Sequence, residues 1–177
     1  MKYFTPEAYI AYNSDDAVEA ASAEDYWESA IESYRKELDA ILPTLPPSAR
    51  RLATMNLHDW ELAIAWVSHA PQGAGEVATV ALRRGDEVAE VTYRLWANPG
   101  VERAPHRWRF AGRPVRWLYD EIEAEPGAPK CFRHRILLSS GETLVVPFKT
   151  ASVLTAKSVL TQAGDRAAAP ALTVAAG

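Results

Sequence analysis

The sequence predicts an α+β protein in which N-terminal helices pack on a C-terminal antiparallel sheet, either a meander or an incomplete barrel. Three observations carry this expectation. Apolar residues recur at helical spacing up to Leu57-His58-Asp59-Trp60 and alternate at strand spacing after it. The later strand segments follow one another through short loops, which antiparallel pairing allows and parallel pairing does not. Charge divides at nearly the same place: residues 1–48 hold ten acids and three bases, and residues 49–149 hold fourteen bases and twelve acids.

Thr5-Pro6-Glu7 predicts a helix start, because Thr caps, Pro suits the first helical position and Glu favours the dipole. Asn13-Ser14-Asp15-Asp16 predicts a turn, and Ser22-Ala23-Glu24-Asp25 a second cap. Trp27, Ala30, Ile31, Tyr34, Leu38, Ile41 and Leu42 form one apolar stripe, opposite Glu28, Glu32, Arg35, Lys36 and Asp39. Pro43 ends that helix, and Pro46-Pro47-Ser48 opens a shorter one, so residues 5–56 are mainly helical. The stripe is expected to cover one face of the sheet.

Strands fill residues 60–149. Leu62, Ile64 and Trp66 alternate with Ala63, Ala65 and Val67, and apolar character on both faces predicts a central strand. Residues 71–75 are expected to form a loop, and Gly85-Asp86 joins a hairpin of residues 77–84 and 88–96. Residues 107–110 read as a short strand, residues 115–123 as another, and residues 130–138 and 142–148 as a hairpin around Ser139-Ser140-Gly141.

At 177 residues the chain suits a single domain over 1–161, with an Ala-rich tail over 162–177 expected to be disordered. With 48% apolar residues and six Trp it has material for a core without staples. One Cys excludes an intrachain disulfide, and four His with that Cys argue against structural zinc, so neither metal nor cofactor is expected. The first residues lack the basic start and apolar run of a signal peptide, and no apolar run is long enough to span a membrane. A cytoplasmic, soluble protein is the expectation. The net charge of −4 argues against general nucleic-acid affinity.

Few residues suggest chemistry. His58-Asp59 matches, in two residues only, the dyad of metal-dependent phosphohydrolases, and the turn itself gives both a structural use. His134 lies on an apolar strand face between Phe132 and Ile136, where a buried, hydrogen-bonded imidazole is expected. Glu121 and Glu123 should pair across strands with Arg133 or Arg135; otherwise two acids on one face would offer an acid–base pair. His58, Asp59, His134 and Glu121 are thus the catalytic candidates, with no acknowledged nucleophile motif around them. Cys131 reads as an inert thiol. Arg107, Arg109, Arg113 and Arg116, interleaved with Trp108, Phe110 and Trp117, are the candidate binding residues; strand parity would turn the rings to the core and the cations outward.

Met1-Lys2-Tyr3-Phe4-Thr5-Pro6-Glu7, Leu57-His58-Asp59, Leu118-Tyr119-Asp120-Glu121-Ile122 and residues 132–141, taken together, resemble uncharacterised bacterial proteins classed as domains of unknown function. Those pair N-terminal helices with a C-terminal antiparallel sheet. The chain more loosely resembles small bacterial toxin-immunity proteins. The resemblance covers about residues 1–150; it implies the fold and transfers no catalytic residue. The expected function is a non-enzymatic binding module, immunity-like, whose partner is another protein. A small metal-dependent hydrolase at His58, Asp59 and His134 is the alternative, and a nucleic-acid binder through residues 103–117 a third. An exposed sheet edge would also support a homodimer.

Overall fold

The structure is a computed structural model that describes residues 1–69 and 75–157. Helix α1 (Pro6–Tyr12) begins as the sequence predicts, with Thr5 Oγ1 accepting from Ala8 N at 3.1 Å. Helix α2 (Ala17–Ile41) starts five residues before Ser22, because the Asp16 carboxylate accepts from Val18 N and Glu19 N at 2.8 and 3.2 Å. Two orphan donors are satisfied there, so the Ala-rich run propagates through Ser22 and the expected cap lies inside the helix. Its buried stripe is Ala23, Trp27 and Ala30, whereas Ile31 faces solvent. A 3₁₀ turn (Leu42–Thr44) and helix α3 (Pro47–Ala53) follow.

Seven strands follow: β1 (Glu61–His69), β2 (Glu76–Arg84), β3 (Glu87–Leu95), β4 (Gly100–Glu102), β5 (Trp117–Ala124), β6 (Phe132–Leu138) and β7 (Thr143–Lys157). They form one sheet in the order β1-β2-β3-β7-β6-β5, with β4 beside β7 and every pairing antiparallel. Each half is a meander, and β7 joins them: its first residues pair with β6, and from Phe148 onward it pairs with β3. The strand therefore runs well past residue 149, where its alternation fades into small and polar residues. Residues 107–110 form no strand; they belong to an irregular connection between β4 and β5. The Ala-rich tail and most of the loop after β1 lie outside the described residues.

The sheet curls until its first and last strands meet. Asp59 N donates to Trp117 O at 2.8 Å, Trp117 N to Trp60 O at 2.9 Å, and Leu62 N to Val115 O at 2.8 Å. Beyond Leu62 the two strands diverge, which leaves the barrel incomplete. Its interior is one apolar cluster that includes Val80, Leu82, Val91, Tyr93, Trp117, Phe132, Ile136 and Phe148. Leu45, Ala49, Leu52 and Leu57 close it, so the segment around α3, rather than the stripe of α2, covers the inner face. Helix α2 lies instead on the outside of β5, where Phe4, Trp27 and Ala30 make a second cluster with Tyr9, Tyr34 and Tyr119 around it.

Glu121 ties the N-terminus to this outer layer. It is buried, and its carboxylate accepts from the backbone of Lys2, Tyr3 and Phe4 at 2.7, 2.8 and 2.6 Å. Nearby, Glu37 accepts from Lys2 Nζ and Tyr3 Oη at 2.5 and 2.6 Å, which lowers its pKa, while the same contact with Glu37 raises that of Lys2. Tyr34 donates no such anchor to a side chain; its hydroxyl accepts from Ile122 N at 2.8 Å, and burial pushes its pKa up.

Two outcomes follow from this anchoring. Glu121→Ala should destabilise the protein by about 2–4 kcal/mol in urea unfolding, since three backbone donors, that of Phe4 buried, lose a charged acceptor. The depressed carboxyl of Glu37 contributes stability above its ordinary titration range and loses it as pH falls through the lowered value; the raised Lys2 amine stays charged throughout that window. Acidification should thus speed hydrogen exchange at residues 2–4, corrected for intrinsic rates, before it affects β3 or β6.

Candidate functional site

The candidate residues of the sequence fall into separate environments. His58 and Asp59 form the turn into β1. His58 N donates to Asn56 Oδ1 at 3.0 Å, its Nδ1 is hydrogen-bonded to Leu118 O, and its ring packs on Tyr119 in the outer layer. Asp59 takes a left-handed conformation with φ 64° and lies 3.5 Å from His58 Nε2. The His58 ring braces the barrel closure, and Asp59 takes part in it through its backbone N–H. Glu121 is committed to the N-terminal backbone, and His134 is fully buried among interior residues. The four are therefore not assembled into one site, and no group of His, Cys, Asp and Glu among the described residues is placed to hold a metal ion.

His134 instead sits in a chain of polar contacts across the barrel. Its Nδ1 is 2.8 Å from Tyr93 Oη and its Nε2 2.9 Å from Asp120 Oδ2, and Trp117 Nε1 donates to Asp120 Oδ1 at 2.8 Å. Burial, reinforced by Asp120, pushes the Tyr93 pKa well up, so its hydroxyl keeps its proton and donates to Nδ1. The Nε2–H tautomer then donates to Asp120, and each buried polar atom in the chain is satisfied. The parity of β6 supplied the burial of His134, but its partners come from β3 and β5 and were not visible in local pattern. The chain joins three strands through side-chain hydrogen bonds.

The arginine-rich connection faces the protein's own acids. Arg109 bonds Asp15 at 2.6 Å and the Asn13 carbonyl at 2.8 Å, and Arg107 lies 3.9 Å from Glu19. Between them Trp108 stacks on Tyr9 at 5.3 Å and donates from Nε1 to Ser139 O at 3.1 Å, while Phe110 meets Tyr9 edge-on. The rings pack inward as expected, although a loop rather than a strand delivers them. Gly141 permits this approach: its φ is 86°, and a Cβ there would lie 2.4 Å from the Trp108 ring. Arg113 and Arg116 are exposed. Of the expected cross-strand pairs Arg135–Glu123 is present at 2.9 Å, with Glu102 also 2.6 Å from Arg135, while Arg133 pairs with Glu125 at 2.8 Å and Glu121 with the N-terminal backbone instead.

What remains open is the edge of β1. After Leu62 its outer side has no hydrogen-bonded strand among the described residues, so β1 is an edge strand and not the central one its composition predicts. Ile64, Trp66 and Val67 are 49%, 41% and 48% exposed, and no charge interrupts Leu62 to Ser68. Sequence alternation cannot separate a strand buried on both sides from one left uncovered. Among the described residues no helix is long and apolar enough to cross a membrane. No protein-family model matches the chain, and no curated protein matches it, so the resemblance to bacterial domains of unknown function and immunity proteins rests on its quoted segments alone.

His134→Leu should cost about 3 kcal/mol in chemical denaturation, because it leaves Tyr93 and Asp120 without their shared partner inside the barrel. The same variant should leave the closure contacts of Asp59 and Trp117 protected from exchange, since those do not pass through the imidazole.

Proposed function

We propose that the protein is a non-enzymatic binding module that associates by strand addition at the free edge of β1, and that the added strand is β1 of a second copy. The observation that carries this reading is the uncharged, apolar, unpaired edge bearing Ile64, Trp66 and Val67. Such edges invite pairing unless charge, proline or a covering element blunts them, and no charged residue or proline lies between Leu62 and Ser68. The strand is also complementary to itself. Antiparallel pairing centred on Ala65 sets Ile64 against Trp66 within the part of the strand that the closure leaves free. Main-chain hydrogen bonds would supply affinity and the aromatic pair the anchor.

The arginines favour this edge over the connection between β4 and β5. Arg107 and Arg109 already have acidic partners in their own chain, so a docking partner there would have to displace Glu19 and Asp15. The separation of His58 from His134 likewise supports binding over metal-dependent hydrolysis.

Sedimentation of the full chain over a wide concentration range tests the proposal. The wild type should form a dimer, and Trp66→Lys should weaken it at least about tenfold while the circular dichroism spectrum is kept. A wild type that stays monomeric throughout, or a dimer indifferent to both Trp66→Lys and Ile64→Lys, would overturn it.

A further inference from the structure

A second surface, away from the β1 edge, has the makings of a ligand site. The end of α3, the β2–β3 hairpin and the end of β7 enclose an open cleft of about 530 Å³. Arg51, Arg84 and Lys157 line it, against the single acid Glu87. Glu87 is used by Arg84 at 3.0 Å, and Arg84 also lies over the Trp60 ring, 4.7 Å from its centroid. Arg51 reaches only a hydroxyl, donating to Thr155 Oγ1 at 3.2 Å, and Lys157 has no acidic partner among the described residues. The cleft thus carries two cations in excess, in a protein whose net charge is −4.

Trp60 supplies an independent observation. It lines the cleft and is 97% covered, and its Nε1 is the buried side-chain nitrogen or oxygen with no hydrogen-bond partner among the described residues. An orphaned buried donor costs free energy unless something accepts from it. Asn56 adds a second donor: its Oδ1 is occupied by His58 N, which leaves the amide nitrogen for a ligand. Cationic and polar side chains from four segments line the cleft, and Trp60 borders it with its unpartnered indole N–H.

We propose that this cleft binds the phosphate group of a small phosphorylated molecule. Two uncompensated cations match the charge of a phosphate dianion, Arg51 offers the planar fork suited to its oxygens, and Lys157 a mobile point charge. The volume exceeds that of one phosphate, so an organic group would extend from it across the surface between α3 and β7. A carboxylate would answer only part of this charge.

The test is titration of the ¹⁵N-labelled full chain with inorganic phosphate and, separately, with phenyl phosphate, read at the Trp60 indole N–H and the Asn56 side-chain amide. Saturable shifts at both, weakened about tenfold in Arg51→Gln and in Lys157→Gln but not in Arg107→Gln, are expected. Tighter binding of phenyl phosphate would identify an organic phosphate as the ligand, and equal binding would identify free phosphate. Shifts reproduced by chloride at matched ionic strength, no saturation with either probe, or binding indifferent to both variants would overturn the proposal. Two separately placed variants guard against a loss of fold in either one.

Discussion

Three backbone hydrogen bonds between residues 59–62 and 115–117 decide the shape of this protein. They draw the first strand of the sheet to the last and convert a twisted sheet into a curled one whose inner face is shared by six strands. Such a contact requires a chain that turns sharply at Asp59, and the left-handed residue there, held by Trp117 O, provides it. His58 braces the same corner from outside through Leu118 O. The closure reaches no further than Leu62, so the same contact that makes the barrel also determines where it stays open. The free edge of β1 is a consequence of that geometry rather than a defect of one strand.

A curled sheet has one interior, and everything placed there must be apolar or fully paired. Tyr93, His134, Asp120 and Trp117 meet the second condition by linking β3, β6 and β5 in one hydrogen-bonded chain in which Asp120 accepts from both His134 and Trp117. The polarity specifies register: sliding β6 by one residue would turn His134 outward and put Arg133 or Arg135 inside, away from Glu125 and Glu123. Glu121 does the equivalent on the outer face, where it selects the backbone of residues 2–4 as its partner. Charged groups in this chain thus act mainly as locators of strands and of the N-terminus.

Legibility in the sequence followed the range of the determining interaction. The α1 cap, the β2–β3 hairpin and the buried face of β6 depend on neighbours a few residues apart, and each is readable from spacing alone. The α+β class and the curled antiparallel sheet followed from the same signals. Glu121 read as an ion-pair partner of Arg133 or Arg135, because its actual partners are main-chain groups more than a hundred residues away, which leave no mark on composition. The start of α2 went astray for a local reason: Asp16 and Ser22 are both competent caps, and the earlier one wins when Ala-rich sequence follows it. The connection between β4 and β5 shows a third case. Its alternation of arginine and aromatic is strand-like, but Tyr9 and the Ser139–Gly141 turn offer the rings a better contact than any neighbouring strand.

The charge division visible in the sequence has a use once the surfaces are known. Acids of the helical part neutralise the connection between β4 and β5, as Asp15 and Glu19 meet Arg109 and Arg107, and the outer face of β5 and β6 balances itself through Glu102, Glu123 and Glu125. Those exposed pairs add little stability individually. Their effect is to neutralise Arg107, Arg109, Arg133 and Arg135 within the chain, while Arg51 and Lys157 stay in excess in the cleft. The β1 edge is uncharged, and the cleft is cationic on a chain that is anionic as a whole. A partner strand and an anion therefore find surfaces that differ in kind, with electrostatics guiding the second and having little hold on the first.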